Sequence, residues 1–221
     1  MTSQFFDAIF FDMDGLTINS EPQWLEAEIE LAARYGYAWT QADQANCLGG
    51  PLSKVGEYFS NITDGAESGP YFHQEIIRIM TERISKGADF MPGAKELLNE
   101  LDQAHVPLAL VSASPRAIVD AALSHVQPTP FSVTISADDV LITKPNPECY
   151  LKAAELLSVN IQRCLILEDS KTGVAAARAS GAKVLAVPHL VKIETDHQTR
   201  VINSLTGMTM DHLRSYFDNW F

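Results

Sequence analysis

Asp12 and Asp14 stand two residues apart at the end of a short aromatic and aliphatic run, Phe5 to Phe11, and Gly15 follows them at once. One carboxylate can attack phosphorus, a second can donate and accept a proton, and together they can hold a hard cation such as Mg²⁺. An apolar run closed by a glycine turn signal reads as a strand buried on both faces. In open α/β sheets the carboxyl ends of such strands are where ligands bind. Asp-x-Asp-Gly is also an ordinary polar turn, because Asp and Gly are favoured where a chain leaves a strand. The remainder of the chain has to decide between turn and site.

Three further polar features fall at the same kind of place. The run Val106 to Val111 is followed by Ser112-Ala113-Ser114-Pro115, a hydroxyl-rich turn opening a helix. Backbone N–H groups and the helix dipole suit an anion there. Ser114, with Pro115 next to it, also reads as the N-cap of that helix. Cys164 to Leu167 ends in Glu168-Asp169-Ser170, a second acidic pair, whose alternative reading is capping ahead of Thr172-Gly173. Two carboxylate clusters at strand ends repel unless a cation lies between them, and Mg²⁺ held by carboxylates, a carbonyl and water meets that need. Lys144 precedes Pro145-Asn146-Pro147, a rigid turn and helix start. Lysine is usually a solvated surface residue. Beside an aspartyl nucleophile and a phosphate, its ammonium would offset their repulsion.

The elements that position these residues alternate. From Met91-Pro92-Gly93 onward the pattern predicts helix 94–104, strand 106–111, helix 116–126, strand 132–136, helix 147–157, strand 164–167, helix 172–180 and strand 183–187. Such alternation argues a parallel sheet flanked by helices, with the first strand in the same sheet. A last helix, 211–217, covers it. Between the first strand and Gly87 the pattern gives no strand. It gives a helix over 21–35 with Ser20-Glu21-Pro22 as cap and first turn, a second helix over 71–85, and loops marked by Gly49-Gly50-Pro51 and Gly65. That stretch reads as an inserted helical module.

With 221 residues and 46% hydrophobic content the chain can bury one substantial core. A formal charge of -12 argues against a general nucleic-acid or anionic-membrane binder, whose phosphates demand clustered Lys and Arg. A small anionic substrate remains compatible, because a local metal and one lysine can invert the field. Cys47, Cys149 and Cys164 are far apart and lack CxxC spacing, so buried reduced thiols are expected rather than disulfides or zinc. The N-terminus lacks a positive segment before an apolar run, and no stretch reaches the length of a membrane span. A cytoplasmic protein is expected, in which the Asn61-Ile62-Thr63 sequon is idle.

Asp12-Met13-Asp14-Gly15, Ser112 after a hydrophobic strand, Lys144-Pro145-x-Pro147, and Glu168-Asp169-Ser170 with Gly173 occur in that order along the whole chain. The set resembles the four-motif signature of the haloacid dehalogenase-like hydrolase superfamily. The helical insertion after the first motif is similar to the α-helical cap of its β-phosphoglucomutase-like and sugar-phosphatase branch. The resemblance implies an α/β fold, a Rossmann-like parallel sheet sandwiched by helices, with residues 1–17 and 89–221 as catalytic core and 18–88 as the inserted α-helical cap.

It further implies that Asp12 is the nucleophile that forms an aspartyl-phosphate. Asp14 is then the acid for the leaving alcohol and the base for water. Mg²⁺ would bind the Asp12 carboxylate, the Asp14 backbone carbonyl and Asp169, with Glu168 as a ligand or as a partner that orients one. Ser112, the Ala113 amide and Lys144 would hold the phosphoryl group. The expected enzyme is a Mg²⁺-dependent phosphatase for a small phosphorylated metabolite, a sugar or sugar-alcohol phosphate. It is expected to be a monomer without nucleic-acid or membrane partners.

A mutase of the β-phosphoglucomutase type is the alternative. That pattern has a histidine twelve positions after the nucleophile, where this chain has Trp24. It also has an arginine beside a glycine loop, where Ser53 and Lys54 follow Gly49-Gly50. A phospho-receiver domain fits less well, since its acceptor lies on a later strand. Dehalogenation needs neither the second aspartate nor the acidic pair. Trp24 and the loop from Gly49 to Lys54 are expected to read the leaving group, with Glu28 as a further polar candidate.

Overall fold

The computed structural model describes residues 5–47, 52–188 and 191–220. Six strands form one sheet: β1 (Ile9–Phe11), β2 (Leu108–Val111), β3 (Val133–Ile135), β4 (Leu165–Glu168), β5 (Lys183–Ala186) and β6 (Thr199–Val201). Their order is β3-β2-β1-β4-β5-β6, and every pairing is parallel. This α/β arrangement is the one that the alternating pattern and the resemblance both call for. A receiver-type domain has a different strand order.

The alternation of side chains on β1 shows why the sheet is covered on both sides. Ile9 and Phe11 belong to one buried cluster with Leu108, Leu110, Leu165 and Leu167. Phe10 points the other way, into a cluster with Ala109, Ile166 and Val184. A central strand apolar on both faces must have helices above and below it. They are α5 (Ala94–Gln103), α6 (Arg116–Leu123), α7 (Glu148–Leu157), α8 (Lys171–Ser180) and α9 (Met210–Asp218). Most of these elements fall within a few residues of their predicted ends.

Before them, between β1 and α5, lie α1 (Glu21–Ala33), α2 (Gln41–Cys47), α3 (Leu52–Ile62) and α4 (Gly69–Ile84). The chain enters this segment and returns from it side by side. Asn19 N–H donates to Asp89 O at 2.8 Å, Met91 N–H donates to Thr17 O at 3.0 Å, and Ile18 bridges to Phe90. Two of these helices correct the sequence reading. α2 buries only Asp43 and Cys47, so it carries no apolar stripe to read. α3 has Gly56 in its interior, a residue that suggests a loop. A Cβ at Gly56 would stand 2.3 Å from Gly69 O, so the glycine serves close packing of α3 on α4. β6 also escaped the sequence reading, being three residues long. The loop residues Gly49, Gly50 and Pro51 lie outside the described residues.

All three cysteines are buried and unbridged, as their spacing predicts. Among the described residues no helix is long and apolar enough to cross a membrane.

Candidate active site

In a sheet with this strand order the connections from β1 and β4 leave in opposite directions, which opens a crevice at the carboxyl ends of those two strands. β1 and β4 pair with Phe11 beside Leu167, so Asp12 follows one strand where Glu168 ends the other. Asp12, Glu168 and Asp169 each offer a carboxylate oxygen within 4.8 Å of the others. Glycines make room for this. Gly15 has a φ of +78°, and a Cβ there would stand 2.4 Å from Asp169 Oδ2. At Gly173, in the first turn of α8, a Cβ would stand 1.9 Å from Glu168 Oε1.

Lys144 enters the cluster from the turn before α7. Its ammonium donates to Asp12 Oδ1 at 2.5 Å, Glu168 Oε1 at 2.6 Å and Val111 O at 2.9 Å. It is a buried residue at 9% exposure, not the solvated lysine that is the ordinary case. Burial of a charge is tolerated only when it is paired and hydrogen-bonded. Burial lowers the pKa of Lys144, but the carboxylates of Asp12 and Glu168 more than offset this and hold it protonated, well above the ordinary value.

One ammonium does not balance this many acids. Burial pushes the Asp12 carboxyl up to about 8, against the pull of Lys144 and with further upward pressure from Glu168 and Asp14. Burial likewise pushes Asp169 up to about 9, helped by Asp12 and Glu168. Closely set carboxyl oxygens whose ionisation burial and mutual repulsion oppose are what a hard divalent cation would stabilise, so these residues fit an ion of the Mg²⁺ type.

Asp14 keeps different company. Its carboxylate lies outside that cluster and accepts from Ser20 Oγ at 2.6 Å, Ser114 Oγ at 2.8 Å and Ser112 Oγ at 3.3 Å. Two capping expectations are corrected here. The N-cap of α6 is Pro115, with no side-chain cap bond, because the Ser114 hydroxyl turns to Asp14. Ser20 does stand at the N-cap of α1, but its hydroxyl also goes to Asp14 instead of the helix. Ser170, by contrast, caps α8 by accepting from Gly173 N–H at 3.0 Å.

Ser112 is buried, its Oγ accepting from Ser114 N–H at 2.9 Å, and Ala113 is exposed in the same turn. Thr17 Oγ1 donates to Asp12 O at 2.5 Å and fixes the backbone at the first aspartate. Thr17 and Tyr150 belong to this neighbourhood without any sequence signal that singled them out, and Ser20 entered the sequence reading only as a helix cap. Of the expected substrate readers, Trp24 is half-buried, Glu28 is buried and Lys54 is exposed. Glu28 Oε2 has no hydrogen-bond partner, and burial pushes its carboxyl up to about 7.

The family model for haloacid dehalogenase-like hydrolases matches residues 9–187. The chain belongs to that family, and by class it is an enzyme of the phosphoric monoester hydrolase type. A bifunctional riboflavin kinase/FMN phosphatase of Arabidopsis thaliana is 31% identical over 211 residues. That match covers 92% of this chain but only 54% of the plant protein, so the chain spans about half its length. A phosphorylated carbohydrates phosphatase of Thermotoga maritima is 29% identical over 189 residues, 83% of this chain and 86% of that one. The crystal structure of CbbY from Rhodobacter sphaeroides in complex with phosphate superposes with a TM-score of 0.81 at 23% identity. It covers 95% of this chain and 99% of its own, a likeness of fold.

Proposed function

We propose that this enzyme is a Mg²⁺-dependent phosphatase that hydrolyses a small phosphomonoester, of a sugar or sugar alcohol, through a phosphoryl group carried on Asp12. The observation that carries this reading is the separation of two carboxylates only two residues apart. Asp12 sits in the buried cluster against Lys144, while Asp14 is held beside it by hydroxyls. The phosphatase for phosphorylated carbohydrates among the relatives supports the substrate class.

In the first half-reaction an Asp12 carboxylate oxygen attacks phosphorus, and the ester P–O bond breaks. Asp14 gives its proton to the departing alkoxide, which leaves as the alcohol. In the second half Asp14 takes a proton from water as that water attacks phosphorus, and the P–O bond to Asp12 breaks to release inorganic phosphate. Lys144 and the Ser112–Ala113 turn hold the phosphoryl oxygens throughout. Asp12, the Asp14 carbonyl and Asp169 would hold Mg²⁺, which supplies neutralising charge for the phosphoryl oxygens. Glu168 acts mainly by fixing Lys144, to which its Oε1 is bonded at 2.6 Å.

On this reading residues 18–88 are the cap, hinged at the paired segments around Ile18 and Phe90, and 1–17 with 89–221 are the catalytic core. The protein acts as a cytoplasmic monomer on a small metabolite. The deciding experiment incubates purified protein with Mg²⁺ and a panel of sugar, polyol and nucleotide phosphates that includes FMN. Inorganic phosphate release from one or more sugar or polyol esters is the expected result. Isomerised sugar phosphate in place of free phosphate would turn the assignment to a mutase.

A further inference from the structure

Tyr150 touches the active-site cluster in three ways at once. Its hydroxyl donates to Glu168 Oε1 at 2.5 Å. Its ring lies under the Lys144 ammonium, 5.1 Å from Nζ to the centroid. The same ring stacks on Phe10 at 6.4 Å and 7°, two residues before Asp12. A single side chain on α7 thus joins β1, the Lys144 turn and the end of β4. It has no exposure to solvent, and its hydroxyl has the Glu168 carboxylate as its acceptor.

The arrangement poses a competition. Asp12 and Glu168 both accept from the one ammonium, at 2.5 and 2.6 Å. Inside a low-dielectric interior, hydrogen bonds to a charged acceptor are strong, and removal of a donor leaves its charge to the remaining partner. The phenol satisfies part of the Glu168 charge without adding a charge of its own. Without it, Glu168 draws Lys144 harder and away from Asp12, where the phosphoryl oxygens gather during transfer. The ring sets the floor on which the ammonium rests, through packing and cation–π attraction.

Resting on the phosphatase reading above, we propose that Tyr150 is a positioning residue for phosphoryl transfer. By hydrogen-bonding Glu168 and supporting Lys144, it keeps the ammonium shared towards Asp12. Its effect falls on the phosphoryl end, so it is the same for every ester whatever the leaving alcohol.

The test is Y150F, which keeps the ring and its stack on Phe10 and loses only the hydroxyl. With wild-type protein and p-nitrophenyl phosphate as reference, kcat should fall about tenfold, by one factor across chromogenic and sugar phosphates, with KM little changed. Calorimetric affinity for orthovanadate, which mimics the five-coordinate phosphoryl group, should fall by a similar factor, and affinity for inorganic phosphate less. In an E168Q background the competing charge is gone, so Y150F should add nothing to orthovanadate binding. Wild-type-like kcat and orthovanadate affinity in a folded Y150F overturn the inference, as does an equal loss of orthovanadate binding in both backgrounds. The first comparison decides by itself where the double variant does not fold. A wild-type protein that releases no phosphate at all overturns the phosphatase reading and this inference with it, whereas an active wild type beside an unaltered Y150F overturns only the inference.

Discussion

Asp12 and Asp14 are neighbours but one in the chain, yet the first is bonded to a buried ammonium at 2.5 Å and the second to the Ser114 hydroxyl at 2.8 Å. The strand end sends the two carboxylates into separate environments, one charged and closed, the other lined by neutral donors. Groups kept apart in this way can take different roles in one reaction.

Asp12→Asn should therefore abolish turnover and leave the fold intact. The amide cannot attack phosphorus, and Lys144 keeps its bond to Glu168. Phosphate release and a thermal melt are the checks. Turnover near wild type in this variant would falsify the covalent route.

Asp14→Asn leaves the backbone carbonyl in place and removes the carboxyl proposed to transfer the proton. Slow turnover is expected, down by about 10²- to 10⁴-fold, with Mg²⁺ affinity close to wild type. Loss of metal binding with no separate kinetic defect would show that the side chain is not the acid and base.

Asp12 at about 8 and Asp169 at about 9 hold protons in the absence of a cation. A cation must displace those protons, so Mg²⁺ affinity should rise as pH increases through that range, with protons released on binding. Titration calorimetry in buffers of different ionisation enthalpy measures the release. EDTA should abolish phosphate release, and added Mg²⁺ should restore it. Affinity that is flat with pH argues that Asp12 and Asp169 do not share the ion.

Glu28 gives a second pH effect, on stability. Its carboxyl is pushed from 4.5 to about 7, chiefly by burial, so the folded state holds the proton where the unfolded chain has lost it. The stabilisation is full below the unfolded value and is lost as pH rises through about 7, an effect on the order of 3 kcal/mol. Glu28→Gln should flatten that part of the pH–stability curve and be more stable than wild type at pH about 8. Parallel denaturation curves for the two proteins from acid to neutral pH would contradict it.

Trp24 lies one turn into α1, whose first residues follow the Ser20 contact to Asp14. On the proposed cap assignment it reads the leaving group. Trp24→Ala should then change kcat/KM unequally across sugar and polyol phosphates and affect p-nitrophenyl phosphate least. A uniform loss on every ester would assign the indole to cap packing instead.

The sequence by itself determined the first five strands of the parallel sheet, the order of its motifs and which acids and which lysine stand at the strand ends. Apolar runs that end in Asp12, Ser112 and Glu168 carry both the strand signal and the chemistry, because parallel strands buried on two faces are continuous in sequence. Gly15 and Gly173 were legible as motif residues, but that each makes room for a carboxylate is a fact of packing. α2 and α3 were not legible, since α2 lacks an apolar stripe and the α3 interior holds Gly56 for contact with α4. Local patterns cannot reveal which partner a hydroxyl chooses. Ser20 and Ser114 have the sequence of helix caps, and only the fold brings Asp14 close enough to take both hydroxyls. Tyr150 reads as one more apolar position on a helix. Its bond to Glu168 joins residues eighteen apart, and the fold decides that approach by packing α7 on β2 and β3, from where the Tyr150 side chain reaches the end of β4.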